Sequence, residues 1–200
     1  IGYEILFGPL LISDLDSCII LNKSGTDFIF SDEPVIFYNR RFNNIGFGTT
    51  GLQSPGLQIF CPITKNLMLL LYDANFYHLY SRKIVKTDST NDIDAINKLQ
   101  FFNAYENIFF ANDTEIDYIK NLHSEVEFLI ENKGNKMEMI SVDRKCDNSR
   151  LFCFSTPGIN YNIDLSFMDI MPLTINQLPR ARSKEIIKLS NEDSYKPAHF

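Results

Sequence analysis

The chain has 200 residues, 44% of them hydrophobic and 22% charged, so it can bury a sizeable core and is neither disordered nor fibrous. Its formal net charge of −6 argues against general binding to nucleic-acid backbones, which require a basic surface. The longest apolar run, 67–72, is far below the roughly 18 residues that a membrane helix needs, so no membrane span is predicted.

The cysteines predict a reduced protein without disulfides. They lie far apart, and neither a Cys-x-x-Cys pair nor a neighbouring histidine completes a zinc-binding set. A chain of this size also folds by burial alone, without disulfide support. We therefore expect four free thiols and a cytoplasmic location. The four residues are Cys18, Cys61, Cys146 and Cys153.

Short apolar runs rich in β-branched and aromatic side chains predict strands along much of the chain. A glycine-rich stretch, 42–56, predicts a loop. It contains a literal Gly-x-Gly-x-x-Gly match at 46–51, but no helix pattern follows, which argues against a dinucleotide site. The predicted strands are 17–22, 27–31, 34–39, 57–63, 67–72, 136–142, 151–155 and 163–168.

Two stretches have helical spacing. In residues 92–107, three apolar side chains recur at that spacing, and Ser89 or Thr90 is available as the N-cap. Residues 115–133 carry a continuous apolar stripe, and Gly134 follows as a stop signal. The stripe comprises Ile116, Ile119, Leu122, Val126, Leu129 and Ile130.

These elements predict an α+β fold, with a largely antiparallel sheet and two or more packed helices, because strands and helices occur in groups. A doubly wound parallel sheet is the alternative. We expect the strands 27–31 and 34–39 to pack on the helix 115–133 and bury its stripe. Residues 1–178 then form one domain, and residues 179–200 form a polar tail.

Two carboxylates, Asp32 and Glu33, precede Pro34 at the junction of two predicted strands. Exposed carboxylates at a sheet edge can ligate a divalent metal. The alternative is turn chemistry, in which Asp bonds the nearby backbone and Pro fixes the outgoing chain. The residues alone support both interpretations.

The stretch 28–35 reads Phe-Ile-Phe-Ser-Asp-Glu-Pro-Val. It resembles the Phe-Ile/Leu-Thr-Ser-Asp-x-Pro-Val signature of the bacterial family called domain of unknown function 4238. Ser31, Asp32 and Pro34 match that signature, and Phe30 stands at its Thr position.

Two further blocks are similar to the same family. Residues 59–67 are similar to its apolar strand and Pro-containing turn, and 97–104 to its Asn-x-Leu-Gln-x-x-Asn-Ala helix. The blocks occur in family order across about residues 10–111. The family typically opens with a His-Tyr-x-Pro motif that this sequence lacks, so we expect the C-terminal part of a longer bacterial protein. The resemblance implies no activity, cofactor or substrate.

Two functional hypotheses follow. In the first, Asp32 and Glu33 bind a divalent metal, and Asp32 acts with Asn97 and Asn103 as the catalytic residues of a metal-dependent hydrolase or nuclease. In the second, these residues only fix turns, and the loop 42–56 of a non-catalytic module recognises a protein partner. The deciding observation is whether the Asp32 carboxylate faces a cleft within reach of either asparagine.

Overall fold

The computed structural model describes residues 11–43, 49–81, 83–131, 138–143, 150–155 and 161–172. The strands are β1 (Asp16–Asn22), β2 (Phe30–Ser31), β3 (Ile36–Tyr38), β4 (Gln58–Thr64), β5 (Leu67–Tyr72), β6 (Tyr77–Leu79), β7 (Ile84–Thr87), β8 (Ile108–Phe109), β9 (Glu138–Asp143), β10 (Arg150–Ser155) and β11 (Met168–Ile170). The helices are α1 (Thr90–Asn103) and α2 (Ile116–Glu131).

The central sheet has five strands in the order β3-β4-β5-β1-β7. β1 and β7 run parallel, and every other pair of neighbours in this sheet is antiparallel. The predicted strands 57–63 and 67–72 correspond to β4 and β5, which form a hairpin. Three further pairs, β2 with β8, β6 with β11, and β9 with β10, are antiparallel. The predicted α+β class with a largely antiparallel sheet is thereby confirmed.

The main core lies between the central sheet and α1. Ile20, Phe60 and Leu70 from neighbouring strands are fully buried, and α1 packs its apolar face against the same cluster. That face consists of residues at helical spacing, as the sequence predicts. Its fully or almost fully buried members are Ile93, Ile96 and Leu99.

The helix α1 begins where the sequence predicts and ends earlier. The Ser89 hydroxyl caps it by accepting a 3.2 Å hydrogen bond from the Asp92 N–H. The predicted end at Asn107 is wrong, because Ala104 is already extended, with ψ at 135°. The N–H groups of residues 105–107, which follow Ala104, donate to the Asp32 carboxylate and not to helix carbonyls.

The helix α2 packs on the rest of the domain through part of its predicted stripe. Ile119, Leu122 and Val126 are buried, and the first two form a second cluster with Ile29. Ile116 is 51% exposed, so its predicted burial is wrong. It is the first residue of the helix and lies outside this cluster.

The predicted packing of two strands on α2 holds only in part. Ile29 of the segment 27–31 joins the α2 cluster, whereas Ile36 and Tyr38 of β3 belong to the main core. Regular pairing in 27–31 is also limited to β2. The extended chain before β2 binds a side chain of α1, because Asn97 contacts the backbone of Asp27 and Ile29.

The predicted strand at 163–168 is wrong in its bounds. Residues 161–165 have no regular structure, and the strand found there, β11, begins only at Met168. Burial alternates in this stretch as it does in a strand, because Ile163, Leu165 and Phe167 are buried in the main core and residues 164 and 166 between them are exposed. Among the described residues, no strand pairs with residues 161–166; side chains bind their backbone instead.

Cys18 and Cys61 are free thiols, and burial raises the pKa of Cys18 to about 12. Cys146 and the Cys153 side chain fall outside the described part of the chain, as do the tail 179–200 and the loop residues 44–48. Neither α1 nor α2, the helices of the described residues, is long and apolar enough to cross a membrane.

Replacing Leu122 by Ala should lower the free energy of unfolding by about 2–5 kcal/mol, because it removes buried methyl groups and leaves a cavity. Ile116→Ala is the matched control from the same stripe, and its exposure predicts a change within about 0.5 kcal/mol. Urea titrations of both variants test this. Equal losses at the two positions would contradict the packing of α2.

Candidate functional site

One face of α1 carries three side-chain amides, Asn97, Gln100 and Asn103. Their spacing of three residues places them above one another along the helix. All three bind the backbone of the extended segment 27–35. We call these three residues the amide clamp.

Asn97 binds the beginning of the segment and is fully buried. Its Oδ1 accepts a 3.1 Å hydrogen bond from the Ile29 N–H, and its Nδ2 donates to the Asp27 carbonyl at 2.9 Å. The same Nδ2 donates to the Tyr118 hydroxyl of α2 at 3.0 Å. The Tyr118 hydroxyl in turn donates to Asp94 Oδ1 at 2.7 Å, so this amide also links the two helices.

Gln100 and Asn103 bind the rest of the segment. Gln100 Oε1 accepts hydrogen bonds from the Ser31 N–H at 3.0 Å and the Ser31 hydroxyl at 2.8 Å, and its Nε2 donates to the Pro34 carbonyl at 3.0 Å. Asn103 Nδ2 donates to the carbonyl oxygens of Glu33 and Val35. Gln100 is fully buried, so each of its bonds replaces contact with water.

The clamp takes the place of a missing neighbouring strand. The opposite edge of the segment pairs with β8, and the Asp32 N–H donates to the Asn107 carbonyl at 3.1 Å. A helix has no backbone groups to offer a strand edge, since its own are used within the helix. Side-chain amides supply both a donor and an acceptor, and so they satisfy the edge that faces α1.

The Asp32 carboxylate binds the chain that follows α1. Its Oδ1 accepts a 2.8 Å hydrogen bond from the Tyr105 N–H. Its Oδ2 accepts from the N–H groups of Glu106 at 2.8 Å and Asn107 at 3.1 Å. Partial desolvation opposes ionisation of Asp32, but these backbone bonds outweigh it and lower the pKa of the carboxyl below its usual value.

The structure places the predicted site residues at one junction, between α1 and the segment 27–35. The hydrogen bonds of Asp32, Asn97 and Asn103 go to backbone groups and, for Asn97, also to Tyr118. Glu33 contributes its carbonyl oxygen to the clamp, and its side chain is exposed. A structural role therefore accounts for the observed contacts of each residue. Across the described ranges, no group of three or more His, Cys, Asp or Glu residues is arranged to hold a metal ion.

Gln100 is the site residue that the sequence interpretation missed. A glutamine on a helix is usually a surface residue, so its type alone gives no warning of burial. Its position does give a signal, because Gln100 immediately follows the buried Leu99 and lies three residues from both clamp asparagines. Three amides at that spacing beside an apolar face indicate a buried polar contact.

A family model described as "Protein of unknown function (DUF4238)" matches residues 8–114, which is more than half of the chain. The chain belongs to the DUF4238 family. Searches of curated proteins and of solved structures each found no match.

The DUF4238 match encloses both partners of the clamp. The two sequence blocks that resemble the family, 28–35 and 97–104, are the segment and the helix face that bind each other. The turn at 105–107 that Asp32 binds also lies within residues 8–114. The helix α2 and the segment 161–172 lie beyond the match.

Gln100→Leu should lower the free energy of unfolding by roughly 2–4 kcal/mol, because it preserves volume but leaves the Ser31 N–H and the Pro34 carbonyl without a partner. Asn91→Ala, at an exposed amide on the same helix, should change it by less than about 0.5 kcal/mol. Denaturant titration measures both. A loss at Gln100 no larger than at Asn91 would contradict the clamp.

Asp32→Asn should destabilise the protein at pH 7 and make its stability less dependent on acid. Because the native pKa of Asp32 is lowered, its ionised form stabilises the fold above the unfolded pKa of about 3.9. That contribution is lost as the pH falls through the native pKa, so the wild type and the variant should converge below about pH 4. Denaturant titrations from pH 7 to pH 2, with the exposed Asp88→Asn as the control, measure the difference. A constant gap at all pH values would contradict the assignment.

Proposed function

We propose that the DUF4238 unit of this chain is a non-catalytic protein-binding module whose contact surface is the segment 105–110. The observation that carries the proposal is the use of the signature residues. Asp32 and the amide clamp form their hydrogen bonds mainly with backbone groups. Asp32 binds the N–H groups of residues 105–107, which are the first three residues of this segment. These contacts thus support a structural role in which Asp32 orders the segment 105–110 for contact with a partner.

The segment carries large aromatic side chains in contact with water. Tyr105 is 80% exposed, Phe109 is 56% exposed and Phe110 is 39% exposed. Three exposed aromatic side chains thus lie within six consecutive residues, and exposed apolar patches are typical of interaction surfaces. Tyr and Phe are also enriched at the buried centres of protein interfaces, where they provide much of the binding energy.

Backbone contacts limit the conformational freedom of the segment 105–110. Asp32 binds the N–H groups of residues 105–107, and Phe109 pairs with Phe30 in the β2–β8 ladder. A contact segment that is already ordered loses less conformational entropy when it binds. This gives the clamp and Asp32 a functional purpose besides stability.

The charges beside the segment favour a basic partner. Glu33 and Glu106 are exposed, and the Asp32 carboxylate binds the N–H groups at the start of the segment. The nearby Lys65 is engaged with Asp27 and Asp113. We therefore expect a partner that combines apolar side chains with lysine or arginine, and binding that weakens as salt screens these charges.

The two earlier hypotheses stay predictions beside this proposal. At the base of the loop 42–56, Asn39 Nδ2 donates to the carbonyl oxygens of Thr49 and Pro55, and the loop residues 44–48 lie outside the described part of the chain. For the hydrolase or nuclease, Asp32→Asn should abolish a thermal shift caused by magnesium or manganese if Asp32 is a metal ligand. Equal melting of both proteins with and without the ions would contradict a metal there.

A partner should be recoverable through the segment and lost when its aromatics are removed. A photo-crosslinking residue at Asn107 of the full-length protein in its own cells should capture the partner, and the same residue at the exposed Asn121 of α2 should not. Against the purified partner, Tyr105→Ala with Phe109→Ala should weaken binding about 30-fold or more, measured by calorimetry.

The matched control is Phe128→Ala, which removes an exposed aromatic side chain from α2 and should leave the affinity unchanged. Wild-type affinity should fall as salt is raised from 50 to 300 mM. The proposal is wrong if the double variant binds as the wild type does, or if the same adducts form from position 121.

A further inference from the structure

The segment 161–167 lies in the main core, and within the part of the chain that the structure describes no strand pairs with its residues 161–166. Ile163, Leu165 and Phe167 are buried, and the residues between them are exposed. This alternation is that of a peptide with every second side chain directed into a groove. The groove walls include residues of β3, β6 and α1.

Side chains bind the backbone of this segment. The Tyr38 hydroxyl donates to the Tyr161 carbonyl at 2.8 Å and accepts from the Ile163 N–H at 3.0 Å. Arg40 Nε donates to the Ile163 carbonyl at 2.8 Å, and Asp92 Oδ1 accepts from the Ser166 N–H at 2.9 Å. These contacts fix the direction and register of an extended chain whatever its side chains are.

Two further contacts involve polar side chains of the segment. Arg40 binds the exposed Asp164 through Nε at 3.1 Å and Nη2 at 2.7 Å. Asp92, which is buried, accepts a 2.6 Å hydrogen bond from the Ser166 hydroxyl. The residues held in this way follow the pattern apolar, Asp, apolar, Ser, apolar, which is Ile-Asp-Leu-Ser-Phe at 163–167.

The end of the segment joins the domain as a strand. β11 pairs with β6, so that Met168 lies opposite Leu79 and Ile170 opposite Tyr77. Strand addition to an existing element is a common way for domains to bind extended peptides. Tyr38, Arg40, Asp92 and strand β6 lie within the residues that match DUF4238. The segment that they bind lies beyond the match.

We propose that this groove of the DUF4238 unit is a binding site for extended peptides of that pattern, and that the chain's own segment 161–170 occupies it as a displaceable internal ligand. The partner is a segment of another protein with the Ile-Asp-Leu-Ser-Phe chemistry. It reaches the groove when the internal segment opens, and the two compete for the same contacts. This proposal does not depend on the aromatic segment 105–110.

The test uses the full-length protein with a specific protease site placed within residues 156–160. After cleavage, a fluorescein-labelled peptide of residues 161–171 is added, and fluorescence anisotropy follows its uptake. Cleaved protein should bind the peptide saturably and release its own C-terminal piece. Peptides carrying Asp164→Ala or Ser166→Ala should bind at least tenfold more weakly, and a Leu165→Asp peptide should not bind.

Uncleaved protein should bind the labelled peptide at least a hundredfold more weakly, because the tethered segment competes at a high effective concentration. Arg40→Ala in the cleaved protein should remove the discrimination against the Asp164→Ala peptide. Cleaved protein that unfolds instead of exchanging, or that takes up all peptides equally, would overturn the proposal.

Hydrogen exchange on the intact, unmodified chain provides a second measure. The amide protons of Ile163 and Ser166 should exchange at least a hundredfold faster than those of Phe60 and Leu70 in the central sheet, through local opening of the segment. Equal exchange rates for the two groups would show that the segment leaves only when the whole domain unfolds. That result would also overturn the proposal.

Discussion

The pairing of helix side chains with strand backbone is the constraint on which the rest of the DUF4238 unit depends. An α-helix advances about 4.5 Å over three residues, whereas an extended chain advances about 6.6 Å over two. Three amides on one helix face therefore cannot follow a straight strand for long. The bend at Asp32 and Glu33 brings the two halves of the segment 27–35 within reach of the same face. The Ser-Asp-x-Pro turn and the amide row thus require each other.

The carboxylate of Asp32 is stabilised by backbone donors although it lies near the C-terminal end of α1, where the helix dipole disfavours a negative charge. The C-terminal end of a helix carries a partial negative charge and repels a carboxylate. The chain leaves α1 at Ala104 and turns its next three N–H groups toward Asp32, and these donors replace the water that the carboxylate loses. The end of α1 at Asn103 frees the N–H groups of residues 105–107, and their hydrogen bonds to Asp32 stabilise its ionised form.

Local sequence patterns located most elements, and the exceptions have physical reasons. The hairpin β4–β5 and the start of α1 follow from alternation and capping, which act between near neighbours. The alternation in 163–167 also recorded burial correctly, but a strand requires a neighbour, and here Tyr38, Arg40 and Asp92 take that place. Such partners are distant in sequence, so no local pattern reveals them.

The candidate site was predicted in its location and missed in its geometry. Asp32, Asn97 and Asn103 do lie at one junction, because the motifs that contain them bind each other. What each polar atom binds depends on its direction, and residue type does not encode direction. Gln100 illustrates the limit, since this fully buried amide of the clamp is of a type that usually remains in water.

The clamp has one more consequence, which concerns association between unfolded or partly folded chains. A strand with an open edge offers its N–H and carbonyl groups to any other extended chain, and such edges begin aggregation. The segment 27–35 would have such an edge if α1 were absent, and its residues 28–30, Phe-Ile-Phe, are apolar and aromatic. Pro34 has no N–H donor to offer another chain, and the three amides bind backbone groups of residues 27, 29, 31, 33, 34 and 35. The helix therefore covers a strand edge that would otherwise be open to pairing with another extended chain.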